Sequence, residues 1–228
     1  MLIDILVWIV LISAFSVFGA WYVRKFQKPD AIIGIYVAFI LISNIVAFKI
    51  VEYDLGFISV TAPAAVIIFA VTFLLIDVVN EKFGRKETQR MIFIAFISQI
   101  AAAVFIFLAI DLPPASFFAD NVAFIKVLAF APRIMVASWA AFLVSENADA
   151  WIYAWFKKKT KGKQLWARNV FSGLPSMVLD SMIFVGIAFY GIAPVIPLIF
   201  GQIVIKWLVG IIDIPFMYIS RAVLYSKD

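Results

Sequence analysis

Apolar residues run in long blocks along this chain, and polar residues interrupt them too rarely for the short alternating segments of a transmembrane barrel. Turn residues and charge clusters divide it into seven apolar segments, at roughly 2–23, 31–51, 61–81, 91–110, 122–156, 169–191 and 195–220. Runs of about twenty apolar residues match the hydrocarbon thickness of a bilayer, so the pattern predicts an all-α polytopic membrane protein. The fifth segment is too long for one perpendicular span at about 1.5 Å per residue. It is expected to tilt, to kink at Pro132, or to begin with an interfacial turn.

Composition agrees. The 228 residues are 65% hydrophobic and 14% charged, with mean hydropathy +1.07, where a soluble domain is about half apolar and a quarter charged. Leu2–Val23 lacks the basic start and small-residue cleavage site of a signal peptide, and reads as a retained helix. The net charge of +5 is unevenly placed. The connections RKFQKPD, KFGRKETQR and KKKTKGKQLWAR and the C-terminal tail hold fifteen of the nineteen Lys and Arg. Alternate connections carry Glu52 with Asp54, and Asp111 with Asp120. The positive-inside rule then puts the N-terminus outside and the C-terminus in the cytoplasm, which fits an odd number of spans. The KKKTKGK run reads as a topology signal beside anionic lipid rather than a nucleic-acid site.

There is no cysteine and no histidine, which excludes disulfides, Cys/His metal sites, thiol nucleophiles and imidazole catalysis. HExxH, GxSxG and Walker motifs are also missing, so no enzyme and no cofactor is expected. What stands out instead is a set of polar residues within or at the ends of apolar segments: Asn44, Asp77, Glu81, Arg133, Glu146, Asp149, Asp180, Lys206 and Asp213. An ionised group at mid-membrane costs about 2.5–3.5 kcal/mol on insertion scales, so these groups must face one another, water or a ligand.

Their angular positions agree with a shared cavity. At about 100° per residue, Gln202, Lys206 and Asp213 share one face of the last helix. Ser172, Ser176, Asp180 and Phe184 step by four along the sixth segment, and Trp139, Phe142, Glu146, Asp149 and Tyr153 form a stripe on the fifth. Asp180 and Lys206 lie near the middle of their segments, where an ion pair is expected. Asp77, Asn80 and Glu81 share a face near the cytoplasmic end, and Gly84 is placed to stop that helix. Asp77, Asp149 and Asp213 all lie close enough to that end to pair with nearby Lys or Arg instead.

Seven stretches in order carry a resemblance: SNIVAFK, FLLIDVVNEKFGRKETQRMIF, APRIMVAS, FLVSENADAWIYAWFKKKTKGKQLWARN, FSGLPSMVLDSMIFVGIAF, the lysine of IKWLVGIIDIPFMY, and its late Pro–x–x–Tyr. From about Asp30 to Tyr218 the chain resembles the queuosine precursor transporters, once called vitamin uptake transporters. Glu146, where that family often has glutamine, and Pro175, in a stretch usually rich in Ser and Thr, depart from its pattern. The resemblance implies import of a 7-deazaguanine, such as 7-cyano-7-deazaguanine, or of queuine for tRNA modification. It also implies a six-helix transporter core at 30–228, resembling the substrate-binding components of energy-coupling-factor transporters, with residues 1–29 as an additional N-terminal helix and basic loop.

The residue chemistry is compatible with a flat cargo. A deazaguanine presents an N1–H/2-amino edge that a carboxylate can accept, and its face can stack on Phe or Trp. Asp180 with Phe184, or Glu146 with Trp139, can supply that pair; Lys206 or Arg133 can donate to the carbonyl oxygen, and Asn44 reads either polarity. The expected substrate-binding set is Asn44, Asp77, Arg133, Trp139, Glu146, Asp149, Ser172, Asp180, Phe184 and Lys206. The expected partners are the small-molecule deazapurine and membrane lipid, with an energising ATPase module or a homo-oligomer left open and nucleic acid excluded. A self-sufficient transporter, a binding subunit of an ATP-driven system, and a membrane enzyme or scaffold remain the competing readings. The expected location is the plasma membrane.

Overall fold

The computed structural model describes residues 2–159 and 165–225. Within that range some side chains, including those of Asp77, Glu81, Glu146, Asp149 and Ser172, lie outside the described residues. In chain order the elements are α1 (Leu2–Phe26), α2 (Asp30–Val46), β1 (Ile50–Asp54), β2 (Ser59–Pro63), α3 (Val66–Phe83), α4 (Arg85–Asp111), α5 (Asn121–Leu128), α6 (Ala131–Lys159), α7 (Leu165–Phe189) and α8 (Val195–Tyr225). Among the described residues, four stretches are long and apolar enough to cross a membrane: Ile5–Phe26, Arg85–Asp111, Asn121–Ser145 and Val195–Tyr225. Asp30–Val46, Val66–Asn80 and Leu174–Phe189 are shorter apolar helices. The chain is a mostly helical, polytopic membrane protein.

One expectation needs correction. The second and third segments are not uninterrupted spans, because 50–54 and 59–63 pair as an antiparallel β-hairpin. Ile50 faces Pro63 and Glu52 faces Thr61. Gly56, at φ +87°, turns the chain, and its N–H donates to Asp54 Oδ1 at 2.9 Å. β-Branched and aromatic residues around an Asp–Leu–Gly turn favour strand pairing over helix here. The fifth segment, expected to be too long for one span, is two helices. The break falls at Ala129–Phe130, so Pro132 sits in the first turn of α6, where its missing N–H leaves no helical bond unmade.

Gly84 has the role expected of it. At φ +79° it ends α3, its N–H bonding to Asn80 O at 3.0 Å, and α4 begins at the next residue. The two helices therefore reverse direction across a single residue.

Three buried clusters define two ends of the bundle. Near the hairpin, Ala47, Ala65, Ile134, Phe189 and Leu198 gather the end of α2, the starts of α3, α6 and α8, and the end of α7. Near the basic connections, Val23, Ile33, Val79, Met91 and Leu224 gather the opposite ends of α1, α2, α3, α4 and α8. A third cluster joins Ile5 and Ile9 of α1 to Tyr53 and Val60 of the hairpin and to Ile205 of α8. The hairpin lies hard against α8: a Cβ added at Gly201 would collide with the backbone carbonyl of Thr61. Only glycine permits that approach.

Candidate functional site

Five helices and the foot of the hairpin surround a small cavity toward the hairpin end. Ser43 and Asn44 come from α2, Phe69 from α3, Ser138 from α6, Asp180 and Phe184 from α7, and Gln202 from α8, with Pro63 closing one side. The pairs Asp180/Phe184 and Gln202/Lys206 each follow the four-residue step that puts side chains on one helix face. The cavity measures about 20 Å³, room for about one water molecule.

Charge is placed at this cavity. Lys206 Nζ donates to the Asp180 carboxylate, forming the ion pair expected at mid-segment. Lys206 is fully enclosed and Asp180 is 2% exposed. Among the described residues no other ion pair is buried so completely. The ammonium also lies 5.5 Å from the centroid of the Phe69 ring, a cation–π arrangement. Desolvating two ions costs several kcal/mol each, so such a pair adds little to stability.

Polar atoms around the cavity await partners. Ser43 Oγ and Gln202 Oε1 are buried with no hydrogen-bond partner, although buried polar atoms are nearly always paired. Asn44 Nδ2 donates to Gln99 Oε1 of α4 at 2.8 Å, both residues being buried. The cavity can thus present a carboxylate, an amide oxygen and a hydroxyl beside aromatic faces.

A second, larger cavity of about 330 Å³ lies toward the basic end. Tyr36, Gln89, Phe93, Phe96, Trp139 and Phe142 contribute to it, and it shares Phe69 and Ser138 with the small one.

The expected binding residues divide accordingly. Asn44, Asp180 and Phe184 line the small cavity, and Lys206 pairs with its carboxylate. Trp139 lines the larger one. Arg133 lines neither. Its Nε donates to Ile187 O at 2.9 Å and its Nη2 to Tyr190 O at 2.8 Å, so the guanidinium satisfies carbonyls at the end of α7. The side chains of Asp77, Glu146, Asp149 and Ser172 lie outside the described residues. Asp213 is held by Ser13 of α1, whose Oγ donates to Oδ1 at 3.0 Å.

Sequence reasoning left Ser43, Phe69, Gln99, Ser138 and Gln202 out of the binding set. Gln99 is a lone amide in the apolar run IAFISQIAAAVF and carried a readable signal. Phe69 carried none, being one of 24 phenylalanines.

Apolar helices long enough to cross a membrane surround a small cavity with a buried ion pair at its wall, and comparison with known proteins identifies the class as a membrane transporter. The chain belongs to the family described as "Putative vitamin uptake transporter", whose model matches residues 63–220. It is a transporter and not an enzyme. It is also similar to the "Probable queuosine precursor transporter" of Bacillus subtilis (strain 168), with 27% identity over 191 residues, covering 82% of this chain and 81% of that protein. No solved structure matches.

Proposed function

We propose that this protein imports a 7-deazaguanine precursor of queuosine, 7-cyano-7-deazaguanine or queuine, across the plasma membrane. The observation that carries the reading is the cavity between Phe69 and Phe184. The Asp180 carboxylate, held by Lys206, lies at its wall with the unpartnered Gln202 Oε1 and Ser43 Oγ. A deazaguanine would stack against the rings and offer its N1–H and 2-amino group to the carboxylate. Gln202 Oε1 would accept a further ring N–H, and Ser43 Oγ would donate to the carbonyl oxygen. The similarity to a protein named as a queuosine precursor transporter supports the cargo class.

With room for about one water, the site has to widen to receive a bicyclic ring. Such expansion belongs to alternating access, in which helices rock around a site near the membrane midplane. We take residues 30–228 as a six-helix transport core, α1 as an addition to it, the N-terminus as external and the C-terminus as cytoplasmic. Basic connections at one end of the bundle support that orientation.

The test is thermal stability of the purified chain with 7-cyano-7-deazaguanine, guanine and riboflavin. Selective stabilisation by the deazaguanine is expected, and it should vanish in Asp180→Asn/Lys206→Met, which removes both charges and leaves neither buried alone. Equal response to all three compounds, or to none, would overturn the reading. Uptake by the isolated chain in liposomes then separates a self-sufficient transporter from a binding subunit of an ATP-driven system.

A further inference from the structure

The cargo site leaves one buried acid unexplained. Asp213 lies on the face of α8 that carries Lys206, seven residues further along, an axial step of about 10 Å toward the basic connections. It is 8% exposed. Its Oδ1 accepts from Ser13 Oγ of α1 at 3.0 Å, and among the described residues it forms no ion pair.

The contrast with Asp180 sets its chemistry. Asp180 has the Lys206 ammonium beside it, and an ammonium only donates, so that pair serves a carboxylate alone. Asp213 has a hydroxyl instead. Ser13 can donate to a carboxylate or accept from a carboxylic acid, and so it satisfies either protonation state. An acid without a counter-ion inside an apolar helix is costly, and such groups mark ion and proton pathways.

The other charged groups on the elements around it are placed elsewhere or lie outside the described residues. On α7 Asp180 is engaged by Lys206, and on α3 Lys82 lies over the Tyr225 ring. Arg221 is eight residues further along α8, and Arg24 and Lys25 are at the far end of α1 from the hairpin. The strand β2 has no ionisable side chain. The side chains of Asp4, Asp77, Glu81 and Arg168 lie outside the described residues.

Two neighbours on α8 link the acid to movement and to one side of the membrane. Pro215 removes a helical hydrogen bond two residues past Asp213, so α8 bends most readily there. Ser220, seven residues past Asp213 on the same face, is fully enclosed and its Oγ has no partner. A buried hydroxyl with a free donor and acceptor can pass a proton toward the basic end.

We propose that Asp213 is the proton-binding site of a proton-coupled importer, with Ser13 of α1 as its positioning residue. Hydronium from the external side gives its proton to the carboxylate, forming an O–H bond and releasing water. That O–H bond breaks on the cytoplasmic side, past Ser220, and water takes the proton. This rests on the import reading above and adds to it the source of energy.

Transport by the full chain in liposomes, with a pH-sensitive dye inside and 7-cyano-7-deazaguanine outside, tests it. Cargo should acidify the lumen, and an imposed gradient of one pH unit should support about tenfold accumulation for one proton per cargo. Asp213→Asn, which mimics the protonated acid, should abolish both, with circular dichroism checking that the variant is folded. Ser13→Ala should shift the pH of half-maximal coupling, which a merely structural tie would not do. Infrared difference spectra without cargo give a separate reading: a carboxyl band should titrate in the wild type and be missing from Asp213→Asn. Cargo uptake without proton movement, or with proton movement unchanged in Asp213→Asn, would overturn the proton site and leave the import reading standing. Identical infrared titrations of the two chains would also overturn it. A carboxyl band lost in the variant, with no response to the deazaguanine, would uphold the proton site and overturn the import reading.

Discussion

At the hairpin end, Gly201 lets β2 lie against α8 closely enough that no side chain fits between them, and Asp180, Lys206 and Gln202 are buried around a void of about 20 Å³. Toward the basic end, α2, α3, α4 and α6 border a groove of about 330 Å³ lined by rings. One half is tight and charged; the other is roomy and neutral. The difference suits a carrier that is sealed on one side, where charges are tolerable only because they are paired and dry.

The largest expected effect comes from breaking the charge pair that defines the tight half. Lys206→Ala leaves the Asp180 carboxylate buried and alone, and should cost about 3–5 kcal/mol. Asp180→Asn/Lys206→Met should cost far less, because neither charge remains. Thermal melting of both variants checks this. Equal losses would mean that the pair acts through packing, and the contrast between the two halves would lose its electrostatic basis.

Next is the seal itself. Gly201→Ala drives a methyl into the Thr61 carbonyl, so the hairpin or α8 has to shift, at about 1–3 kcal/mol for overpacking. The same change should loosen the hairpin end and make the tight cavity accessible from that side. Single cysteines introduced near the cavity would report it by their rate of alkylation, and the native chain has no cysteine to interfere. An unchanged rate, with stability intact, would show that the close approach is not a seal.

Much of this contrast was legible in the sequence, and the illegible part has a physical cause. Lys206 and Asp180 announced themselves because a charge in mid-membrane must have a partner, and Gln202 fell on the same face by helical period. Gly84 was legible because only a glycine suits the reversal at φ +79°. The hairpin was missed because IVEYD and SVTAP are apolar enough to extend the flanking segments, and strand pairing depends on the facing strand. Arg133 looked like a ligand group by the same cost argument that found Lys206. Its partners are backbone carbonyls, which a pattern of side chains does not display. The larger cavity depends on how Phe and Trp side chains from different helices leave space, and no periodicity encodes that.

A smaller effect concerns α1, which touches both halves: Ile5 and Ile9 join the hairpin cluster, while Ala20 and Val23 join the cluster at the basic end. Ser13 lies between them and bonds Asp213. Ser13→Ala should cost ~1 kcal/mol, in the range of interhelical hydrogen bonds in membranes. Melting should fall by about 2–4 °C for a chain of this size. Stabilisation by cargo should not change, since Ser13 lines neither cavity. A lost ligand response would instead place α1 at the cargo site.

The smallest effect on stability should come from the Asn44–Gln99 bond, which joins the walls of the two cavities. Asn44→Leu alone strands Gln99 Oε1, and interhelical hydrogen bonds in membranes average ~0.6 kcal/mol. Asn44→Leu/Gln99→Leu removes both partners and should recover most of that loss, because two apolar groups leave nothing unsatisfied. Transport should respond differently. Asn44 lines the site proposed for the cargo, and leucines offer no hydrogen bond to exchange with a passing ring. The double variant should therefore be as stable as the wild type and yet carry cargo at an altered rate in liposomes. Normal rate with normal stability would make Asn44–Gln99 a plain interhelical tie, and the two cavities would then be separated by packing alone.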